Sequence, residues 1–207
     1  MTPVPTIEGI LTDAKDPSMV RLCVAGARIG PLRRDDAIRL GAREGSRWTK
    51  ALATHVKALA CDVACRADAL KRLGHRDLSQ TLLMHRLTRK WGEPAASRVV
   101  ASLVRDGWVN DAAYARSRVE ALQRVSPMSA EGLQQRLQEE GVAESLAHSV
   151  ANTSFDPAAV HRTVRAWKKQ RRSALWISKR LSQRGFDMDT IASALQRAGI
   201  ACDFDST

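Results

Sequence analysis

The sequence predicts a mainly α-helical protein: tandem three-helix repeats in an elongated curved array, with a small β ribbon at the N-terminus. Three observations predict this fold class. Aromatic residues make up only 4% of the chain, while Ala and Leu are common, which favours helices. A spacing pattern of Ser, Leu, Arg-Leu and Gly occurs three times, as in repeat proteins. The first part of the chain instead contains short, partly alternating apolar runs between turn residues.

The N-terminal segment, residues 1–47, is predicted to be β-rich. Apolar runs around Ile7–Leu11, Met19–Val24 and Arg28–Leu32 are separated by turn residues, which indicates a ribbon of two or three strands. A ribbon of this size is not stable alone, so we expect it to pack against helices. Residues 35–40 are predicted to form one or two helical turns that end at Gly41.

The recurring pattern, termed the skeleton, is predicted to form one short helix in each copy. Ser can accept the free N–H groups of a helix start, apolar residues four apart share a face, and Gly ends the helix. The spacing between copies is roughly 45 residues, which is typical of arrays of small units. The three copies are Ser79, Leu83, Arg86-Leu87 and Gly92; Ser129, Leu133, Arg136-Leu137 and Gly141; and Ser173, Ile177, Arg180-Leu181 and Gly185.

We place the three-helix repeats at 48–109, 110–155 and 156–201, followed by a polar tail at 202–207. The first repeat begins with a long helix that ends before Gly74. Its predicted buried stripe comprises Leu52, Val56, Leu59, Val63, Ala67 and Leu70. The third helix of this repeat begins near Pro94 and ends at Gly107. Its predicted buried face comprises Val99, Val100, Leu103 and Val104.

In the second repeat, Asn110 or Asp111 is expected to be the N-cap of a helix through about Arg124. A short helix over 143–151 follows the second skeleton copy. In the third repeat, Asp156-Pro157 predicts a helix start, and that helix is expected to reach about Arg172. A last helix is predicted at 189–198.

The charge is the strongest global signal, with 33 Lys and Arg against 22 Asp and Glu and a formal net charge of +11. Such an excess points to polyanions or to an acidic protein surface. Between Arg162 and Arg184, termed the basic segment, there are nine Lys or Arg and no acidic residue. The predicted basic face comprises Arg162, Arg165, Lys169 and Arg172 on one helix and Lys179, Arg180 and Arg184 on the next. A weaker group comprises Arg89, Lys90, Arg98 and Arg105. The alternative for both groups is a merely solvated surface.

No catalytic motif is present: the sequence lacks a Walker-type phosphate loop, Gly-x-Ser-x-Gly, His-Glu-x-x-His and Gly-x-Gly-x-x-Gly. We therefore expect a non-enzyme with no cofactor and no metal. Its cysteines are interpreted as small core residues, because Cys61 and Cys65 have no convincing further zinc ligands; the others are Cys23 and Cys202. The Trp residues, including Trp91 and Trp108, are expected to pack as wedges near helix ends. With neither a signal peptide nor a bilayer-length apolar run in the sequence, we expect a cytoplasmic protein that binds no membrane.

One segment and the repeat pattern together resemble a known family. Ala69-Leu70 and Leu73 precede the first skeleton copy. The segment that follows Leu103 consists of Gly107, Trp108, Val109, Asn110, Asp111, Tyr114 and Ala115. This arrangement resembles the RecX regulatory proteins over essentially the whole chain. The family usually has Glu just before the first Leu of the skeleton helix, whereas this chain has Leu82, Gly132 and Trp176.

The resemblance implies a regulator of the RecA recombinase. Family members bind the RecA filament on single-stranded DNA, lie along its groove and limit its growth or promote its loss. The chain would then be a monomer that acts sterically, with the RecA-like filament as its partner and single-stranded DNA as a further candidate contact. Gly107, Trp108, Asn110, Asp111, Tyr114 and Ala115 would have structural roles. The alternative function is a general basic, helical DNA-binding protein without a recombinase partner.

Overall fold

The structure is a computed structural model that describes residues 4–201. The chain divides into two compact units. Unit 1 runs to Asp77 and resumes over Leu83–Val109, and unit 2 comprises Leu78–Leu82 and the chain from Asn110 onward. Cys202 and the predicted polar tail at 202–207 lie outside the described residues.

Unit 1 begins with an antiparallel sheet of three strands in the order β1-β2-β3. Its strands are β1 (Ile7–Thr12), β2 (Met19–Val24) and β3 (Ala27–Arg33). The β2–β3 turn places Ala25 and Gly26 at φ angles of 48° and 73°, as tight hairpin turns require. One face of the sheet is buried, and its side chains include Val20, Leu22 and Leu32. The predicted N-terminal ribbon is confirmed.

The helices of unit 1 cover this buried face. α1 (Arg34–Arg39) follows β3 directly, and α2 (Lys50–Leu73) begins after Thr49, whose Oγ1 accepts a hydrogen bond from the Leu52 amide at 3.2 Å. The first half of α2 packs against the sheet through buried Val56 and half-buried Leu52 and Leu59. The ribbon therefore shares its core with α2, which supplies the apolar area that a small sheet lacks.

The second half of α2 differs from the sequence prediction. Its buried residues are Cys65 and Ala69, whereas Val63 and Leu70 are half-buried and Ala67 is exposed. The predicted stripe was wrong in this half because the helix there packs against α4 through a different face. Val63, Ala67 and Leu70 instead line an open cleft of about 570 Å³ within unit 1.

Two further helices follow in the first repeat. α3 (Gln80–Trp91) contains the first skeleton copy, and its first residues belong to unit 2. α4 (Glu93–Arg105) buries Ala95, Ala96, Val99, Val100 and Leu103. Val104, which the sequence predicts to be buried, is 39% exposed. The pair Ala95-Ala96 takes its place in the core, because that pair lies on the same face as Val99 and Leu103.

Unit 2 contains two further sets of three helices, each with its own core. The first set is α5 (Asp111–Val125), α6 (Ala130–Glu139) and α7 (Glu144–Ser154). Its core includes Ala115, Val119, Leu133, Leu137 and Ala147. The second set is α8 (Pro157–Lys169), α9 (Ala174–Ser182) and α10 (Met188–Arg197). Its core includes Val160, Val164, Ile177, Leu181 and Ile191.

The mainly α class with an N-terminal ribbon is thus confirmed. The repeat boundaries and the elongated outline stay predictions.

The skeleton behaves as predicted in all three copies. Each Ser Oγ accepts a hydrogen bond from the amide three residues on: Ser79 from Leu82 at 3.2 Å, Ser129 from Gly132 at 3.0 Å and Ser173 from Trp176 at 3.2 Å. The glycines that follow the three helices adopt φ angles of +78°, +82° and +82°, which other residues rarely adopt. These are Gly92, Gly141 and Gly185.

α8 ends earlier than the sequence predicts. Its last residue is Lys169, and Arg171 adopts a φ of +58° after it, so the chain has left the helix before Arg172. The local sequence contains no Gly or Pro at this point, which is why the pattern of basic residues suggested a longer helix.

Candidate binding surface in the basic segment

Three residues of the predicted basic face lie on the outer side of α8. Arg162, Arg165 and Lys169 are all exposed. Arg162 Nη2 lies 2.6 Å from Asp156 Oδ2, so its charge is partly neutralised within the same unit. The hydrogen bond from Arg162 also holds the pKa of Asp156 below its usual value. Arg165 Nε donates to the His161 carbonyl at 3.3 Å and has no acidic partner among the described residues.

Arg172 does not extend the row on α8, because it follows the end of that helix. Its guanidinium carbon lies 4.9 Å from the centre of the Trp176 ring, in cation–π geometry. Trp176 in turn meets Trp167 edge-on, with ring centres 5.2 Å apart and planes at 88°. The predicted row of four is therefore wrong at its last member, and Arg172 belongs to the start of α9.

The residues of α9 have different environments. Lys179 is exposed and Arg180 is half-buried. Arg184 is also half-buried, and burial, with a further effect from Arg180, lowers its pKa. The backbone carbonyl of Arg184 accepts a hydrogen bond from the Ser129 amide at 3.0 Å. Because the Arg184 side chain is half-buried, it is less accessible to a ligand than the exposed side chain of Lys179.

Lys168 has a structural role that the sequence did not predict. Its Nζ donates to the carbonyls of Ala198 at 2.7 Å and Gly199 at 3.0 Å, where α10 ends. A cation at this end of a helix satisfies carbonyls that lack helical partners. Arg162, Lys168 and Arg184 thus have the environments described above. The other six cations of the basic segment have no acidic partner among the described residues, and we term them the open basic face: Arg165, Lys169, Arg171, Arg172, Lys179 and Arg180.

The weaker basic group lies in unit 1, and two of its four members have acidic partners there. Lys90 Nζ lies 3.3 Å from Asp68 Oδ2 and 4.9 Å from the centre of the Trp91 ring. Arg98 binds both carboxylate oxygens of Asp62 at 2.8 Å. Arg89 is exposed, and Arg105 lines the cleft of unit 1. Pairing within unit 1 makes this group a weaker candidate than the open basic face.

The motif from Gly107 to Ala115 begins at the end of α4. Gly107 adopts a φ of +77°, and Trp108 after it is 60% exposed, so Trp108 does not pack as the predicted wedge. Trp91 does pack, since its Nε1 donates to Asp68 at 3.0 Å. The indole of Trp108 has no such buried position.

The polar residues of the motif fix helix starts. Asn110 Oδ1 accepts from the Ala113 amide at 3.0 Å and is the N-cap of α5. Asp111 Oδ1 accepts instead from the Gln80 amide at 2.7 Å, at the start of α3. Asp111 therefore caps a helix distant in sequence, a contact that local capping rules do not reveal.

The last two motif residues support the core of α5–α7. Ala115 is fully buried. Tyr114 Oη donates to Glu140 Oε2 at 2.7 Å, and Arg118 Nη2 donates to Glu140 Oε1 at 2.7 Å. Burial alone would raise the pKa of Glu140, but the hydrogen bonds from Arg118 and Tyr114 outweigh it and the pKa lies below its usual value. No sequence signal predicts this network, because Glu140 lies 22 residues from Arg118.

Two corresponding contacts occur in unit 2, each between a skeleton helix start and the turn that ends the next skeleton helix, with side-chain hydroxyls donating in the first and a backbone amide in the second. At the start of α3, Ser79 Oγ donates to the Glu140 carbonyl at 2.5 Å and Thr81 Oγ1 to the Gly141 carbonyl at 2.8 Å. At the start of α6, the Ser129 amide donates to the Arg184 carbonyl at 3.0 Å. We term each contact a turn–start junction.

The remaining reactive residues form no evident site. Cys65 is buried, and burial raises the pKa of its thiol to about 11, which makes the thiol unreactive at neutral pH. Cys23 and Cys61 are half-buried free thiols. Residues 4–201 contain no group of three or more His, Cys, Asp or Glu that could hold a metal ion. None of the helices in that range combines the length and the apolar character that crossing a bilayer requires.

Comparison with known proteins gave structural matches but no sequence matches. No protein-family model matches the chain, and no curated protein does. The crystal structure of regulatory protein RecX is similar over 95% of both chains, with a TM-score of 0.68 and 16% identity. The crystal structure of RecX from Lactobacillus salivarius is similar over 67% of this chain and 97% of that one, with a TM-score of 0.56 and 19% identity. The chain therefore has the fold of these RecX structures, as its motifs predict.

Proposed function

We propose that the protein is a RecX-type regulator that binds the RecA recombinase filament on single-stranded DNA and mainly inhibits its activity in recombination and repair. The observation that carries this proposal is the fold shared with a RecX structure over 95% of both chains. The motif from Gly107 to Ala115 supports it independently. In this proposal the protein is a cytoplasmic monomer that needs no cofactor and catalyses no reaction.

The open basic face supplies the physical means of binding. Its six cations lie within 16 residues of chain and have no acidic partner among the described residues. Such a surface attracts carboxylates or phosphates, and both are abundant on a nucleoprotein filament. Attraction of this kind acts mainly on the association rate and weakens as salt screens it.

The proposal is tested by titrating the protein into the recombinase of the same organism and measuring ATP hydrolysis stimulated by single-stranded DNA. We expect hydrolysis to fall as the protein occupies the filament. Unchanged hydrolysis at a several-fold molar excess over recombinase subunits would contradict the proposal. Electron microscopy of the same mixtures then distinguishes shorter filaments from decorated filaments of normal length.

The open basic face also favours a second candidate, a general DNA-binding protein without a recombinase partner. This candidate predicts tight, salt-sensitive binding to naked DNA. Replacing Arg165, Lys169 and Arg172 by Glu should abolish that binding. A control with the same change in net charge replaces the exposed Arg28, Lys57 and Arg124 by Glu.

The two candidates differ in what the triple variant loses. If it keeps DNA binding but no longer inhibits the recombinase, the regulator is supported. If the wild-type protein binds DNA and leaves the recombinase unaffected, the second candidate is correct.

A further inference from the structure

The turn–start junction occurs at two of the three skeleton helix starts. The starts of α3 and α6 each receive the turn that ends the next skeleton helix. α9 has the same Ser N-cap, but no further skeleton copy follows it in this sequence. Its start therefore shares the Ser N-cap of two helix starts that receive such a turn elsewhere in the chain.

The residues that follow the capping Ser are larger and more apolar in α9 than in α3 and α6. The second and third residues after the capping Ser are Thr81-Leu82 in the first copy, Glu131-Gly132 in the second and Leu175-Trp176 in the third. Leu175 is 76% exposed and Trp176 is 39% exposed. Large apolar side chains at such exposure mark interaction sites when they are adjacent and rimmed by polar groups. Arg172 contacts the Trp176 ring, and Arg171 and Lys179 are exposed and within four residues of Leu175 in the sequence.

The occupied junctions show what such a start can accept. At both of them the incoming group is the C-terminal turn of a helix, whose backbone carbonyls accept hydrogen bonds from the skeleton start. The N-terminus of a helix carries partial positive charge, which suits carbonyl oxygens and carboxylates. The basic rim of α9 extends this preference to acidic side chains around the incoming turn.

We propose that the start of α9, with Leu175 and Trp176 at its centre, is a docking site for a protein partner that presents the C-terminal turn of a helix surrounded by acidic residues. The inference rests on the proposed function and deepens it, since it assigns this site to the recombinase subunits of the filament. The apolar pair supplies the buried contact area, and the open basic face supplies charge complementarity.

A second copy of this chain fits the site less well. Its α6 and α9 turns are engaged in junctions. The end of α3 already contacts α2, because Trp91 Nε1 donates to Asp68 and the Trp91 carbonyl accepts from Cys61 Sγ at 4.0 Å. Two copies that each carry a net charge of +11 also repel each other.

Single-stranded nucleic acid also fits less well. The Trp176 ring is already in contact with the Arg172 guanidinium at 4.9 Å and with the edge of Trp167. This leaves less of the ring for base stacking than on an open aromatic platform. Leu175, the more exposed of the two apolar residues, offers nucleic acid neither charge nor a π-surface.

The decisive variant is Leu175→Glu. Glu is the residue that the second skeleton copy holds at this position, and an acidic residue in the first turn of a helix is favourable, so folding should be retained. The matched control is Val125→Glu, because Val125 is 77% exposed and receives the same change of charge. A second variant, Leu175→Thr, carries the residue of the first copy and removes apolar area without adding charge.

The measurement is binding of each labelled protein to preformed recombinase filaments on single-stranded DNA, by fluorescence anisotropy at fixed salt. We expect Leu175→Glu to weaken binding about 10-fold or more, as loss of a central interface contact does. Leu175→Thr should weaken it less, and Val125→Glu should bind like the wild type. Thermal unfolding of all four proteins checks that the variants are folded.

Several outcomes would overturn the inference. If Leu175→Glu binds filaments as tightly as the wild type does, the site is wrong while the proposed function stands. If the wild-type protein does not bind filaments at all, the proposed function fails and this inference fails with it.

If Leu175→Glu weakens binding to naked single-stranded DNA to the same degree, the surface belongs to nucleic acid. If the wild type sediments as a dimer that Leu175→Glu dissociates, or if deletion of residues 202–207 removes the effect of the substitution, the occupant is this chain itself.

Discussion

The carboxylate of Glu140 accepts hydrogen bonds from Tyr114 and Arg118 and lies 3.1 Å from Arg136 Nε, while its side chain is only 13% exposed. Its backbone carbonyl also takes part in the first turn–start junction. One residue thus connects the core of α5–α7 to the start of α3. Removing the charge would leave Arg118 half-buried without its anionic partner, which is costly in a low-dielectric site.

We expect Glu140→Gln to lower the free energy of unfolding of unit 2 by about 1–3 kcal/mol, the usual range for hydrogen bonds to charged groups. The matched control is Glu139→Gln, because Glu139 is adjacent, 51% exposed and paired with the same Arg136. Such an exposed pair contributes about 0–1 kcal/mol. Urea denaturation followed by hydrogen exchange of α5–α7 measures both variants. Equal stability of the two variants would contradict the network as described.

Gly132 lies inside α6, where Ala would normally be the better helix former by about 1 kcal/mol. However, a Cβ at this position would lie 2.6 Å from the Arg184 carbonyl oxygen, in the second turn–start junction. We expect Gly132→Ala to lower the unfolding temperature, because overpacking against backbone costs about 1–3 kcal/mol.

Gly74→Ala is the control for this substitution. Gly74 has a φ of −66°, and a Cβ there would make only an ordinary contact at 3.5 Å. Its unfolding temperature should therefore be unchanged or slightly raised. An equal shift in both variants would show that helix propensity, and not the junction, decides the outcome.

The roles of single residues were predictable where they are local. The three capping Ser residues and Asn110 follow from sequence alone, because a capping side chain bonds an amide two or three residues away. Asp111, Glu140 and Lys168 could not be predicted, because their partners are 31, 22 and 30 residues distant. The sequence pattern shows that such side chains are polar but does not specify their partners.

At the scale of elements, the end of α8 is unlike most other helix ends of the described chain. Arg171 adopts a φ of +58°, where the ends of α4, α6, α9 and α10 have Gly at a φ between +64° and +82°. A non-Gly residue in this region is strained by roughly 1 kcal/mol or more. α8 therefore ends at this point for reasons other than local preference, which include the packing of Arg172 and Trp167 on Trp176.

We expect Arg171→Gly to be more stable than Arg171→Ala by about 1 kcal/mol, because both remove the charge and only Gly relieves the left-handed strain. The comparison between these two variants cancels the effect of charge, so each is the control of the other. Thermal unfolding followed by circular dichroism measures the difference. Equal unfolding temperatures would mean that Arg171 is not held in this conformation in solution.

The types and approximate ends of most elements followed from periodicity, capping Ser and terminal Gly. The errors in the buried faces have one cause: a helical pattern gives the period of the apolar residues but does not say which neighbour covers them. Hence Val63 and Leu70 line a cleft, Val104 is exposed, and Cys65 and Ala69 form the buried face of α2. The candidate binding surface stays a prediction, and its ion pair with Asp156 and its contact with Trp176 depend on tertiary structure.

At the scale of the whole molecule, acid should destabilise both units. Asp68 in unit 1 and Glu140 in unit 2 each experience burial, which raises their pKa, but hydrogen bonds to the carboxylates outweigh it and both pKa values are lowered. A carboxylate whose pKa is lower in the folded state stabilises the fold above its unfolded pKa of about 4. That contribution is lost as the pH falls through the folded pKa.

We therefore expect the unfolding temperature to be nearly constant between about pH 5 and pH 7 and to fall steeply below about pH 4. Protonation of carboxylates also increases the positive charge of a chain that already carries +11, which adds repulsion. The fall in unfolding temperature should be smaller for Glu140→Gln, because this variant lacks one of the carboxylates whose protonation causes it. Equal unfolding temperatures at about pH 3 and pH 6 would contradict this expectation.

The turn–start junctions have a consequence for how proteins of this fold can change in length. Each junction joins a Ser-capped start to a Gly turn, and every skeleton copy contains both, although the first junction also uses Thr81 and the second depends on Gly132. Duplication or deletion of one whole module would reproduce an existing interface without inventing a new one.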